Sequence, residues 1–236
     1  MKNHKKMLSV AAMLIGVVLL LVSCGGTSGD EGTSSSKTKY GTVPSRLEAI
    51  ENLSSDAFNA SLAGDFGKVS SSAYEINKGW KAFRNRAVKD GAYEDDVLDM
   101  DHAVKGLYQE AGHPTNRTLL ARSANQISDA MDGLYAVYHP EVPPVILELV
   151  YLVRELELNG LDKDYTAAQA DLSALRVVWS TLRNSALDQG GSDVVREFEH
   201  SMNLQQQYID DRAQIQLVDE STVGVDLVDQ LTNLFE

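Results

Sequence analysis

The sequence predicts an all-α fold made of two tandem four-helix up-and-down bundles, which an internal duplication would have produced. Three observations predict it. Apolar side chains recur at helical spacing, the same pattern returns 99 residues later, and glycine, proline and acidic residues fall where helices would begin and end. No stretch of useful length alternates apolar and polar residues as a β-strand would.

The repeat is clearest in the predicted second helix of each half. Apolar residues advance there by alternating steps of three and four, which places them on one helix face, as in bundles. The first row is Phe66, Val69, Ala73, Ile76, Trp80, Phe83 and Ala87, and the second is Tyr165, Ala168, Leu172, Leu175, Trp179, Leu182 and Ala186. We interpret the pattern as a tandem duplication with Trp80 and Trp179 as the large side chains of two cores. Stacking of a ligand on the two tryptophans is the alternative.

Helix-breaking residues set the predicted boundaries. His139-Pro140-Glu141-Val142-Pro143-Pro144 cannot continue a helix. This linker, 139–144, separates a first helical repeat at 45–138 from a second at 145–236. Ser45-Arg46-Leu47-Glu48 has the spacing of a capping box, so the first helix is expected to be capped by Ser45.

The N-terminus has the pattern of an export signal. Lys2, Lys5 and Lys6 precede an apolar run from Met7 to Val22. At ~1.5 Å per residue the run is roughly 24 Å long, which is short for a stable membrane span. It ends in Leu21-Val22-Ser23-Cys24-Gly25, where small residues flank the cysteine. This segment resembles the lipobox of bacterial lipoproteins.

The resemblance implies that residues 1–23 are removed and that Cys24 becomes a lipidated N-terminus, carrying a diacylglyceryl group and an N-acyl chain such as palmitate. Several acyl chains would hold the protein at a membrane, facing the periplasm or the exterior. Gly25 stands where a retention aspartate is familiar, which favours the outer membrane in a Gram-negative host. An ordinary cleaved signal or an uncleaved anchor is the alternative. Residues 24–44, rich in Gly, Ser and Thr, are predicted to be a flexible tether.

Charge and missing motifs exclude several functions. The chain has 34 acidic and 21 basic residues, a formal net charge of −13, which disfavours nucleic acid as a partner. Cys24 is the single cysteine of the sequence, so the expected mature chain has no disulfide and no free thiolate. The sequence contains no zinc-protease, phosphate-loop or serine-hydrolase motif. We therefore predict a non-enzymatic protein without a required cofactor.

One pair of motifs suggests metal binding. Asp99 and His102, and Glu197 and His200, lie at matching places in the two halves, each as a carboxylate three residues before a histidine. Such pairs share a helix face and hold metal in ferritin-like bundles. The predicted third helix of each half has its own apolar row, which places both pairs on the outer face: Val97, Met100, Val104 and Leu107 in the first half, and Val195, Phe198 and Met202 in the second. A site shared between the halves and a plain solvated surface are the two interpretations.

A lipid-anchored, duplicated helical bundle is similar in architecture to imelysin-like envelope proteins. The match covers residues 45–236, but the Gly-x-His-x-x-Glu motif of that family is missing: Gly112-His113 has no glutamate at the required place. No site residue is therefore transferred. The sequence favours an interaction or adaptor module that meets another envelope protein. The alternative is an accessory lipoprotein for uptake or homeostasis of iron, copper or zinc.

Overall fold

Eight α-helices and no strand occur in residues 41–236, the part of the chain that the computed structural model describes. The helices are α1 (Ser45–Ala63), α2 (Phe66–Asp90), α3 (Glu94–Gly112), α4 (Arg117–Ala136), α5 (Val145–Asp162), α6 (Tyr165–Asp188), α7 (Ser192–Asp210) and α8 (Gln214–Thr232). The all-α prediction is confirmed. None of these helices combines the length and the hydropathy that crossing a bilayer requires. The predicted signal and Cys24 lie outside the described residues.

Helices α2 and α6 begin with the same local structure. The Oδ1 atoms of Asp65 and Asp164 each accept a hydrogen bond at 3.0 Å, from the backbone nitrogens of Lys68 and Ala167. The residue before each aspartate has a left-handed backbone, with φ of 78° at Gly64 and 58° at Lys163. Glycine adopts this conformation freely, whereas a lysine there is strained. The same turn is thus built from different residues.

The start of α1 differs from the prediction. Pro44 is the N-cap residue, and its carbonyl oxygen accepts a hydrogen bond from the backbone nitrogen of Leu47 at 2.8 Å. Ser45 already lies within the helix and provides no side-chain cap. The expected capping box was therefore wrong. Proline takes the position because its extended backbone (φ −62°, ψ 130°) suits a residue that precedes a helix.

The helices pack in two groups of four within one compact unit. In the first group α1 and α3 each pack against both α2 and α4, and in the second α5 and α7 each pack against both α6 and α8. Contacts between α4 and α5 join the groups. The chain order of the helices is therefore also their packing order within each group.

Each group encloses its own apolar core. Trp80 is 2% exposed in the first core and Trp179 is 4% exposed in the second, where its ring meets that of Phe198 edge to face at 4.9 Å between centroids. Leu158 of α5 packs into the first core. Burial of each large apolar side chain stabilises the fold by about 1.5–3 kcal/mol. The two cores therefore fix the helices on which the polar residues of the site lie.

Candidate ligand-binding cleft

The four predicted metal ligands are all exposed. Asp99 and His102 lie on α3, which packs against α2 and α4, and Glu197 and His200 lie on α7, which packs against α6 and α8. Across residues 41–236, no group of three or more His, Cys, Asp or Glu side chains is arranged to hold a metal ion. The structure does not bring the two pairs into a common cluster, because each pair faces solvent from a different group of helices.

A neighbouring carboxylate in each motif has a structural role that the sequence analysis missed. The indole Nε1 of Trp80 donates to Oδ1 of Asp101 at 2.7 Å, and Nε of Arg84 donates to the same carboxylate at 2.9 and 3.0 Å. These bonds link α2 to α3. The sequence signal that could have indicated this role is that Asp101 directly follows Met100, which is buried, so that its side chain lies at the margin of the core.

The second group repeats this arrangement between α6 and α7. Nε of Arg183 donates to Oε1 of Glu199 at 2.6 Å, and the indole Nε1 of Trp179 donates to the same oxygen at 3.4 Å. The hydrogen bond from Arg183 lowers the pKa of Glu199. Each tryptophan is therefore fixed by a carboxylate that also binds an arginine. Because the indole N–H already has this acceptor, it is not a free donor for a ligand.

A polar network fixes α4 against α5. Glu155 is 5% exposed and accepts hydrogen bonds from Arg122 Nη1 and, at 2.9 Å, from Asn125 Nδ2. Nη2 of Arg122 also donates to Asn159 and Asp162, both at 3.2 Å. Burial raises the pKa of Glu155, and the bonds from Asn125 and Arg122 oppose that rise. Because these bonds are directional, the network sets how the two groups meet.

A cleft of about 1040 Å³ lies beside this junction. Its walls are α1, α5 and α8, together with residues 41–43, Tyr135 at the end of α4, the proline-containing segment before α5 and the residues that follow α8. The α1 wall consists of Glu48, Glu51, Asn52, Ser55, Phe58 and Asn59, and the α5 wall includes Leu147, Val150, Arg154 and Glu157. Four of the α1 positions recur on the α5 wall 99 residues later. The cleft thus follows a seam where matching positions of the two halves meet.

Arg154 is the unusual residue of the cleft. Its side chain is 6% exposed, Nη2 donates to Ser55 Oγ at 3.1 Å, and the guanidinium carbon lies 4.8 Å from the ring centroid of Phe58. Nη1 is buried and has no hydrogen-bond partner among the described residues. A buried donor without an acceptor costs about 1–3 kcal/mol. An acceptor supplied by a ligand would remove that cost.

Carboxylates dominate the charge of the cleft. Seven of them line it: Glu48, Glu51, Glu141, Glu157, Asp226, Asp229 and Glu236. Among the described residues Arg154 is the only basic lining side chain. Burial raises the pKa of Glu51, Asp229 and Glu157, in the last case to about 7, while Arg154 opposes each rise. Burial lowers the pKa of Arg154, and the same three carboxylates oppose that fall.

Comparison with known proteins finds no matching family model, curated protein or solved structure. The class that the fold defines is an all-α helical bundle with an acidic, partly apolar cleft. Its functional interpretation therefore depends on the residues themselves.

Proposed function

We propose that this protein is a non-enzymatic interaction module, held by a lipidated Cys24 at a bacterial membrane, where it faces the periplasm or the exterior. The observation that carries the proposal is the cleft containing Arg154, a nearly buried cation with an unpartnered donor. Concave pockets of roughly 300–1,000 Å³ are the usual form of a ligand-binding site, and charged groups placed in them give specificity. The partner is a protein of the same envelope, and residues 24–44 act as the tether. The last residues of that segment lie against the helices, since Val43 is buried in the first core and the backbone nitrogen of Gly41 donates to the carbonyl oxygen of His139 at 3.0 Å.

We also propose that the fold consists of two tandem four-helix up-and-down bundles, at 45–138 and 145–236, that derive from one duplicated unit. Three features support this. The caps at Asp65 and Asp164 share their geometry, the Trp–Arg–carboxylate sets occur in both groups, and both groups pack in the same helix order. The duplication would explain why the cleft is bordered by matching positions.

A cross-linking experiment tests the binding role. A photo-reactive amino acid is placed at Asn52, an exposed position of the α1 wall, and in a matched variant at Asn184, an exposed position of α6 outside the cleft. In cells that produce the protein, we expect a discrete cross-linked product from position 52 that is absent from position 184. Identical products from both positions, or none from position 52, would contradict a partner in the cleft.

Membrane attachment has a separate test. We expect Cys24→Ala to leave an unprocessed, unacylated precursor, because no thiol remains to be modified. Metabolic labelling with a palmitate analogue and mass spectrometry of the N-terminus measure the outcome, and Ser23→Ala is the matched control that keeps a small residue before the cysteine. Normal processing of the Cys24→Ala chain would refute the lipoprotein assignment.

The alternative, a metal-binding accessory protein, would depend on Asp99, His102, Glu197 and His200. These residues are not clustered, and no other ligand group is found within residues 41–236. No observation on the described residues favours this function over the interaction module.

A further inference from the structure

The length of the cleft matches a short extended peptide. Along α1 the wall runs from Glu48 to Asn59, and along α5 it runs from Ile146 to Glu157. At ~1.5 Å rise per residue each wall is about 16 Å long. An extended chain covers about 3.3 Å per residue, so roughly five residues would fill this length.

The unpartnered donor selects the kind of acceptor. Nη1 of Arg154 lacks a partner, and the carboxylates of Glu51, Asp229 and Glu157 act electrostatically on the same guanidinium group. A ligand carboxylate or phosphate brought to Nη1 would enter the field of these three groups and be repelled. A neutral carbonyl oxygen satisfies the donor without that repulsion, and a peptide main chain offers one at every residue.

The charge and the apolar surface of the cleft walls determine which ligand side chains would bind. Among the described residues seven carboxylates and one arginine line the cleft, and together they produce a negative potential, which attracts Lys and Arg and repels acidic residues. Between the carboxylates lie half-buried apolar side chains, among them Leu147, Val150 and Val225. A purely cationic ligand would leave the exposed part of these apolar side chains in water, whereas a ligand with both kinds of side chain covers it.

We propose that the cleft binds an extended segment of a partner protein, about five residues long, in which Lys or Arg accompanies apolar residues and a main-chain carbonyl accepts from Arg154 Nη1. This inference rests on the proposed interaction function and names the chemistry of the partner. The basic side chains face the carboxylates of α1 and α8, and the apolar ones pack on Leu147, Val150 and Val225.

The test uses the full chain, solubilised in a neutral detergent, on an array of end-blocked six-residue peptides of unbiased composition. We expect the bound peptides to be enriched in Lys or Arg together with Leu, Ile, Val or aromatic residues. Peptides that bind are then titrated free in solution. Enrichment of acidic peptides, or of peptides without charge, would overturn the proposal.

Two cleft variants and one control assign the binding to this site. Arg154→Lys keeps the charge but removes the forked donors, and we expect about tenfold weaker binding, the usual effect of one lost hydrogen bond. Asp229→Asn removes a wall charge, and we expect weaker binding with a smaller dependence on salt. Glu197→Gln, an exposed carboxylate on α7, should bind like the parent chain. Thermal melts show whether each variant is folded. If Arg154→Lys is unstable, the affinity of Asp229→Asn still tests whether the peptide binds in the cleft.

Four further outcomes are decisive. Unchanged affinity in both cleft variants would overturn the site, and equally tight binding of spermidine would overturn the need for a peptide. If position 52 cross-links a partner in cells but the array shows no basic, apolar preference, the proposed function stands and this inference fails. If neither experiment detects binding, both fail together.

Discussion

Nη2 of Arg154 lies 3.1 Å from Oγ of Ser55, and the two residues are 99 positions apart, the same displacement that relates Trp80 to Trp179. Matching positions of the two halves thus touch at the seam, but one is a small hydroxyl and the other a large cation. The cleft owes its chemistry to this difference, because the α5 side brings the one guanidinium that lines it within residues 41–236 and the α1 side brings Phe58, on which that guanidinium stacks.

The Trp–Arg–carboxylate sets should contribute measurably to stability. We expect Asp101→Ala to lower the free energy of unfolding by about 1–3 kcal/mol, because the indole N–H of the buried Trp80 and the guanidinium of Arg84 both lose their acceptor. Chemical denaturation measures the change. Asp99→Ala, two residues earlier and exposed, is the matched control and should change stability by less than about 0.5 kcal/mol. Equal effects of the two variants would contradict the assigned role.

Loss of Arg122 should be more severe than loss of a surface arginine. Glu155 is 5% exposed, so Arg122→Ala leaves a buried carboxylate without its charge partner, at an expected cost of about 3–5 kcal/mol. Adding Glu155→Gln should restore part of the loss, since the neutral amide needs no counter-charge. Arg196→Ala, which removes an exposed pair with Asp193, should cost less than about 1 kcal/mol. A double variant as unstable as Arg122→Ala would argue against a charge effect.

Glu157 should make the protein less stable as the pH rises. Burial raises its pKa from 4.5 to about 7, so between these values the folded chain binds more protons than the unfolded chain. The free energy of unfolding therefore falls across that window. Glu157→Gln should be more stable than the parent above pH 7, by on the order of 1–2 kcal/mol, with a smaller difference at pH 4. Melting at several pH values checks this. Glu197→Gln serves as the control, and a pH-independent difference would contradict the interpretation.

Lys163→Gly should stabilise the protein. Lys163 has a φ of 58°, which glycine adopts without strain, so we expect a gain of about 0.5–1 kcal/mol in the free energy of unfolding. The reciprocal variant, Gly64→Ala, should destabilise, because φ is 78° there and a Cβ atom would lie 2.6 Å from Arg117 Nη2. Thermal unfolding of both variants gives the answer. A loss of stability in Lys163→Gly would show that the lysine side chain compensates for its backbone.

Metal titration should not distinguish a histidine variant from the parent chain. Because His102 and His200 are exposed on different groups of helices, we expect the His102→Ala/His200→Ala double variant to bind Fe, Cu, Zn and Mn no differently in calorimetry. His113→Ala is a matched control for removal of an imidazole. Micromolar binding that only the double variant loses would restore the metal-accessory hypothesis.

Patterns of period 3.5 to 3.6 predicted the helices well, because core burial dictates them. Ile76 and Trp80 belong to the predicted apolar row, and both are buried. The start of α1 was missed, since Pro44 and Ser45 are both acceptable there and backbone geometry decides between them. Contacts between distant residues were not predictable from periodicity. Nothing in the local sequence of Arg154 indicates Ser55 or Phe58 as its neighbours, and the cleft follows from those contacts.

The meeting of Ser55 and Arg154 has an evolutionary consequence under the proposed duplication. In a symmetric dimer of a single ancestral unit, a residue at such a seam would face an identical copy of itself, and two arginines there would repel each other in a nearly dry environment. Joining the two units in one chain removes the requirement for self-complementarity. One copy is then free to become a small acceptor and the other a large donor, so a surface that once had to match itself can specialise for a foreign molecule.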